Sequence, residues 1–536
     1  MQRLIRLAAA LALLCAPAAR ADFADLYADS RDMPINKAPR TGHSRIVVIP
    51  VQIDGQPPLD LPALHKFFGT ASPGSLTFAG FFQYATSDRF SPAVTVAPLV
   101  QYKACPAMLG PGCALDGASA ASLSLATDFA RDVFRRAHED GRVDFSAFDA
   151  NGFGGEPDGV IDGAIIVANV GGPSLALPIE YLNSGSNLAG GKTGAFVLDG
   201  VRIPYCAIGG RPAAVLRPFA ETQGLADLRY AHPSSGDLYP AWGGLHLSTT
   251  GDFDDSDKAI LPDAESRRAL GWQDHHVVSG TEKITLRPAA QGGSALKLGM
   301  MTGKRHEYFM VEARGQEGAL DHGVADGRGN PVYGLAVYHV DWSRGPKAQT
   351  GQWAARLLYC LDCDPFHPFV RNLESSGTFG LALAGPSGGP RSSTGGVFDD
   401  QVLFGDGQKI ASVPGAPALS PAYRYVATNY YDGSASGISI DDIHVNADHS
   451  VTAVFTAPEV TDPCSDVTCP PTESCVESGT FAGTCAPAAP PPPSTGTTSQ
   501  PPSAATTTNG CSSTGAPGPI AALLFAALGL ARRRSR

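Results

Sequence analysis

The sequence predicts an α+β domain followed by an all-β, sandwich-like domain, a small disulfide module and a disordered stalk. Three observations carry this prediction. Buried-type apolar runs alternate with a helical period in the first half. From about Thr281 the texture changes to short alternating runs parted by turn residues. Beyond that, cysteine and then proline, serine and threonine replace the apolar residues that a core would need.

The elements follow in order. Arg45 to Ile53, "RIVVIPVQI", is short, apolar and rich in β-branched residues, which predicts a buried strand. "AVTVAPLVQY" reads as a further strand, and "GASAASLSLATDFARDVFRRAHEDG" repeats apolar residues at helical spacing up to Gly141. "VIDGAIIVANV" predicts a second buried strand. The runs "KITLRPA", "HEYFMVEAR", "GLAVYHVD" and "SVTAVFT" then predict the strands of a sandwich. These readings divide the chain into a signal peptide (1–21), a first domain (22–277), a β-rich domain (278–458), a Cys-rich module (459–487), a linker (488–510) and a tail (511–536).

The two ends predict export. Arg3 and Arg6 precede the apolar run "LAAALALLCAPA" and Ala19-Arg20-Ala21, the layout of a cleaved signal peptide. The tail runs from Cys511 through a short apolar stretch to four arginines. That stretch is shorter than the roughly 20 residues of a comfortable membrane span. It closely resembles the myxobacterial C-terminal sorting signal, which implies cleavage beside Cys511 and attachment to the cell envelope; a plain tail anchor is the alternative. Removing the three arginines of the first segment and the four of the last takes the formal charge from −11 to −18. Nucleic-acid partners, which ask for basic stripes, are therefore excluded.

Of 11 cysteines, Cys464, Cys469, Cys475 and Cys485 form a compact module that reads as two disulfides with three possible pairings. A four-cysteine zinc knuckle is the rival, disfavoured by the absence of C-x-x-C pairs. Cys105 and Cys113 bracket a Pro/Gly loop and are expected to pair. Cys360 and Cys363 are candidates for a local disulfide, and Cys206 is expected to be a buried core thiol.

Several segments, in order, resemble the immune inhibitor A family of secreted zinc metallopeptidases. They are "FFQYATSDRFSPAVTV" from Phe81, "VDFSAFDANGFGGEPDGVIDGAIIV", "ALGW" from Ala269, "EYFMVEAR" from Glu307, "GLAVYHVD" from Gly334 and "GISIDDIH". The resemblance covers roughly Arg45 to Phe455. It implies a zincin-like peptidase domain followed by a β-rich one, and an extracellular peptidase activity that uses zinc.

The stretch "VLRPFAETQGLADLRY", Val215 to Tyr230, departs from that pattern. Gly224, Leu225, Asp227 and Leu228 match the second half of H-E-x-x-H-x-x-G-L-x-D-L, but the first half is replaced. A zincin sets two imidazoles four residues apart on one helix face, with a glutamate beside the first as general base. The aligned residues here are Arg217, Pro218 and Glu221. Arginine is a permanent cation with no lone pair for a metal. Proline has no acid–base chemistry and is tolerated only in a first helical turn, which predicts a helix starting near Pro218. Glu221 and Asp227, the latter matching the third ligand of the family, are the only residual zinc-site positions, so zinc is not expected. Arg217 either balances their charge as an ion-paired remnant or forms a surface pair with Glu221. His232 and His246 are the nearest replacements for the lost ligands, while His275, His276 and His339 read as structural.

Asp149, Asn151, Asp158 and Asp162 lie in a glycine-rich loop of oxygen donors and are candidates for calcium. An ion-free Asx-rich turn is the alternative. The function expected is that of a surface-displayed, non-catalytic peptidase homologue binding a peptide or protein. The alternatives are an active zinc endopeptidase with relocated ligands, and a structural or adhesive surface protein.

Overall fold

The computed structural model describes residues 38–69, 76–115, 120–151, 156–172, 174–180, 195–225, 230–231, 238–239, 261–299, 307–316, 320–321, 330–341, 370–373, 403–418, 426–459, 473–475 and 485–487. The signal segment, the linker, the tail, Cys360 and Cys363 lie outside the described residues, as do Asp227, His232 and His246.

The chain is mixed α/β, with more strand than helix. Its first strand, β1 (Gly42–Ile53), is buried along most of its length. The helices α1 (Leu61–Phe68) and α2 (Phe78–Ala85) follow, each started by a side-chain cap. Asp60 Oδ1 accepts from the Ala63 amide at 2.9 Å, and Thr77 Oγ1 accepts from the Gly80 amide at 3.1 Å, satisfying amides that a helix start leaves orphaned. Next come β2 (Phe90–Val96), β3 (Val100–Tyr102), the helix α3 (Ala120–Glu139), β4 (Gly163–Ala168) and β5 (Leu175–Pro178). The short pair β6 (Val197–Leu198) and β7 (Val201–Arg202) leads into β8 (Tyr205–Gly209) and the helix α4 (Leu216–Thr222).

These strands build one sheet in the order β2-β1-β4-β8-β5, with β3 also on β1. Its pairs are parallel except β5 on β8, which is antiparallel. A parallel sheet must be covered on both faces, which explains why β1 and β4 are continuous apolar runs instead of alternating ones. Val47, Ile49, Ala164 and Ile166 pack under Phe129, Val133 and Phe134 of α3. Ile46, Val48, Ile165 and Val167 face the opposite way, under residues of α1, α2 and α4.

A second, β-rich half follows β9 (Tyr230–Ala231), β10 (Leu238–Tyr239) and the helix α5 (Ala264–Ala269). Its strands are β11 (His275–Val278), β12 (Gly280–Leu286), β13 (Ala295–Leu298), β14 (Glu307–Gly315), β15 (Tyr333–Asp341), β16 (Val370–Asn372), β17 (Ile410–Ala411), β18 (Ser439–Val445) and β19 (Val451–Ala457). One sheet runs β11-β13-β14-β15-β16 and the other β12-β19-β18-β17. The two share a single apolar core in which Leu296, Phe309, Val311 and Val337 meet Ile440, Val451, Ala453 and Phe455. The strand β11 spans the 277/278 boundary expected from sequence and pairs with β13. In the Cys-rich module β20 (Glu473–Cys475) and β21 (Cys485–Pro487) pair antiparallel, with Cys475 in register with Cys485.

Cys105 and Cys113 are joined by a disulfide, and Cys206 is free and fully buried, where burial pushes its thiol pKa up. Among the described residues no helix is long and apolar enough to cross a membrane.

Candidate functional site

Arg217, Pro218 and Glu221, the residues that the sequence resemblance aligns with the peptidase motif, lie on α4. The chain reaches this helix from β8 through a single 3-10 turn, Ala213–Val215. The α-helix begins at Leu216, two residues before Pro218, so the proline occupies the first turn, where its missing N–H is not required. Leu216, Pro218, Phe219 and Ala220 are buried. Phe219 sits among Phe78, Phe82 and Phe90, with ring centroids 5.1, 5.3 and 6.3 Å away. Gly163 on β4 makes this seat possible, because a Cβ there would lie 2.8 Å from the Phe219 ring and 2.6 Å from Ile46 Cδ1.

The far end of α4 is closed twice. Gly224 has φ +104°, a left-handed conformation that favours glycine. The Gly224 amide donates to Glu221 O at 3.0 Å and the Leu225 amide to Ala220 O at 2.9 Å, the paired bonds of a Schellman ending. The segment at residues 38–40 then caps the remaining carbonyls: the Ala38 amide donates to Thr222 O, and Arg40 Nε donates to Gln223 O at 2.6 Å. Gly224 and Leu225, matched to the family motif from sequence, thus have a helix-ending role here.

Arg217 and Glu221 are one turn apart, and Arg217 Nε donates to Glu221 Oε1 at 2.7 Å. Their side chains are 13% and 16% exposed, so the pair is largely covered, not a solvated surface contact. This donor set does not fit zinc. A catalytic zinc site needs three ligands with available lone pairs. Arg217 and Pro218 have none to offer, and the Glu221 carboxylate is already held by a guanidinium.

The histidines of the β-rich half have other duties. His275 on β11 is half-buried, and burial together with Arg268 and Lys297 pushes its pKa down to about 3. His276 lies 2.9 Å from Glu282 at the surface. His339 is buried on β15, with Nε2 2.9 Å from Glu307 Oε2 and its ring stacked between Phe309 and Tyr431.

The four oxygen-donor residues bond to groups of their own loop and of the segment around the start of β1. Asp162 is buried; its Oδ1 accepts from the Ala150 and Asn151 amides and its Oδ2 from the Arg45 amide, at 3.1, 2.9 and 2.7 Å. Burial raises its pKa, and those amide bonds counter the rise. Asp149 accepts from the Asp158 and Gly159 amides, and Asp158 from the Val160 amide. Asn151 Nδ2 donates to Thr41 O and Ser44 Oγ. These bonds tie the loop to β1 and the residue before it. Among the described residues no group of three or more His, Cys, Asp or Glu is placed to hold a metal ion.

A denser charged cluster, not anticipated from sequence, joins α5 to the β-rich half. Arg267 donates to Glu312, whose Oε1 also accepts from Arg314 Nη1 at 3.1 Å and from the Tyr338 hydroxyl at 2.8 Å. Arg314 Nη2 reaches Asp321 Oδ1 at 2.8 Å and Leu261 O at 3.1 Å. Burial lowers the Arg314 pKa, but Asp321 and Glu312 outweigh it and leave it raised. The available signal was Glu312 and Arg314 at alternate positions of an otherwise apolar strand, which puts both on one face. Compared with known families and characterised proteins, the chain matches no family model, and no curated protein matches it.

Proposed function

We propose that this chain is an exported, surface-displayed protein of immune inhibitor A type whose peptidase site no longer holds catalytic zinc, and that it acts by binding a peptide or protein. The observation that carries the reading is the covered Arg217–Glu221 ion pair on α4, in the place where the family would set its ligands. A permanent cation occupies the first ligand position, and the second is a carboxylate neutralised by it. General-base catalysis contributes about 10²–10⁴-fold and metal activation of water adds more, so losing both leaves activity near background.

Peptide binding is favoured by what surrounds this helix. The helix α4 packs against β5, which among the described strands is the antiparallel edge of the first sheet. An extended peptide can add to such an edge through main-chain hydrogen bonds that need no metal. The expected export signal, the negative net charge and the expected sorting tail support a binding role outside the cytoplasm.

The test is to purify the full chain, measure bound zinc, and assay gelatin and casein hydrolysis with and without chelator. Zinc well below one per chain and no chelator-sensitive cleavage are expected. One zinc per chain with chelator-sensitive cleavage would overturn the reading and favour relocated ligands.

A further inference from the structure

The five-stranded sheet of the β-rich half has two buried faces of opposite character. Leu296, Leu298, Phe309 and Val311 point into the sandwich core. The alternate residues Lys297, Tyr308, Glu312, Arg314 and Tyr338 share the other face, where α5 supplies Arg267 and Arg268. Lys297, 1% exposed, is as buried as these neighbours. The carboxylates of this face are already engaged by other groups. Arg268 holds both oxygens of Glu265 at 2.8 and 2.7 Å, Glu312 is held by Arg267, Arg314 and Tyr338, and Asp321 is held by Arg314. What Lys297 does have is the face of the Tyr308 ring, 4.2 Å from Nζ.

We propose that protonation of Lys297 controls how tightly α5 is held against the five-stranded sheet, so that the joint between the two halves tightens as pH rises through neutrality. Among the described residues the buried ammonium has an aromatic face and, at longer range, a carboxylate already held by Arg268. Such a charge is expensive in a low-dielectric setting. The groups facing it make this worse. From α5, Arg268 adds a positive charge that Glu265 only partly balances. From β11, His275 gives no negative charge and stays neutral above about pH 3. From β14, Tyr308 offers its ring. Opening the joint lets water reach the ammonium; losing the proton removes the need for it.

The sign follows from proton counting. An opened Lys297 keeps its proton up to the ordinary value of 10.5, while burial pushes the closed-state pKa down to about 7. Between those values the opened state binds more protons, so raising the pH favours the closed state. Moving from pH 7 to pH 9 multiplies the closed-to-open ratio roughly 50-fold.

Amide hydrogen exchange on the full chain tests this, following residues 264–269 and 295–298 at pH 7 and pH 9, each normalised to its intrinsic rate. Wild type should gain roughly 50-fold protection across that interval. Lys297→Met, which carries no proton in either state, should show at pH 7 at least the protection that wild type reaches at pH 9, with no further rise. Lys297→Arg, a permanent cation, should be weakly protected at both. The same rise in Lys297→Met as in wild type would overturn the proposal. So would lower protection than wild type at pH 7, or a Lys297→Met chain that does not fold, because either shows that the fold depends on the charge.

Discussion

Two arginine–carboxylate arrangements in this molecule have the same chemistry and different consequences. On α4, Arg217 meets Glu221 four residues away, within one short helix. On α5, Arg267 meets Glu312, which is 45 residues away on β14 and also serves Arg314 and Tyr338. The first pair can form wherever that helix forms. The second exists only when the two halves are assembled, because its members arrive from α5, β14, β15 and the Asp321 loop. What separates them is the number of groups left without a partner when one member is lost. Glu221 meets a guanidinium from its own helix one turn away, whereas Glu312 is a shared acceptor for three buried donors from other elements or strand positions.

The largest expected effect follows from that sharing. Glu312→Ala leaves Arg267, Arg314 and the Tyr338 hydroxyl inside without their acceptor, and breaking a buried pair of this kind costs about 3–5 kcal/mol. Urea unfolding monitored by tryptophan fluorescence should show that loss. Glu312→Gln separates the two parts of the effect, since it keeps an acceptor for Tyr338 and loses only the charge. A loss below about 1 kcal/mol for Glu312→Ala would mean that water already reaches the cluster, and the contrast with α4 would collapse.

An intermediate effect asks what seats α4, if the ion pair does not. Gly163→Ala pushes a methyl group towards Phe219 and Ile46, at 2.8 and 2.6 Å. Both neighbours are side chains able to shift, so the expected loss is that of overpacking, about 1–3 kcal/mol. Thermal unfolding would measure it. No loss would mean that Phe219 is loosely packed, and the helix would then depend on its polar contacts after all.

How much was legible in the sequence depends on where the information lies. The strands β1 and β4 and the helix α3 were readable because a buried parallel strand and an amphipathic helix each write their period locally. The helices α1 and α2 were not assigned: each spans only eight residues, so a period such as Phe78, Phe81, Phe82 and Ala85 repeats barely twice. At the candidate site, the chemistry of Arg217, Pro218 and Glu221 and their one-turn spacing were visible. Their coverage was not, since it depends on neighbours brought by other elements. The same holds for Asp162, whose partner Arg45 lies 117 residues away, and for the inward face of β14, whose meaning appears only once α5 lies over it. The sequence lists donors and acceptors, while long-range packing decides which of them meet.

The smallest effect is expected at the site itself. Arg217→Ala removes the i,i+4 bond from α4, and such helix pairs contribute about 0.3–0.5 kcal/mol, within the range of about 0.2–1 for ion pairs that water still reaches. The helix keeps Phe219 in its aromatic seat, the Schellman ending at Gly224, and the caps from Ala38 and Arg40, none of which involves the guanidinium. The loss should therefore stay under about 1 kcal/mol and shrink further in high salt, where partly exposed charges are screened. Measured beside Glu312→Ala in the same denaturant series, it gives the comparison its sharpest form. A loss for Arg217→Ala approaching 3 kcal/mol, insensitive to salt, would mean that Glu221 is left as stranded as Glu312, and the α4 pair would have to be counted as a second buried network.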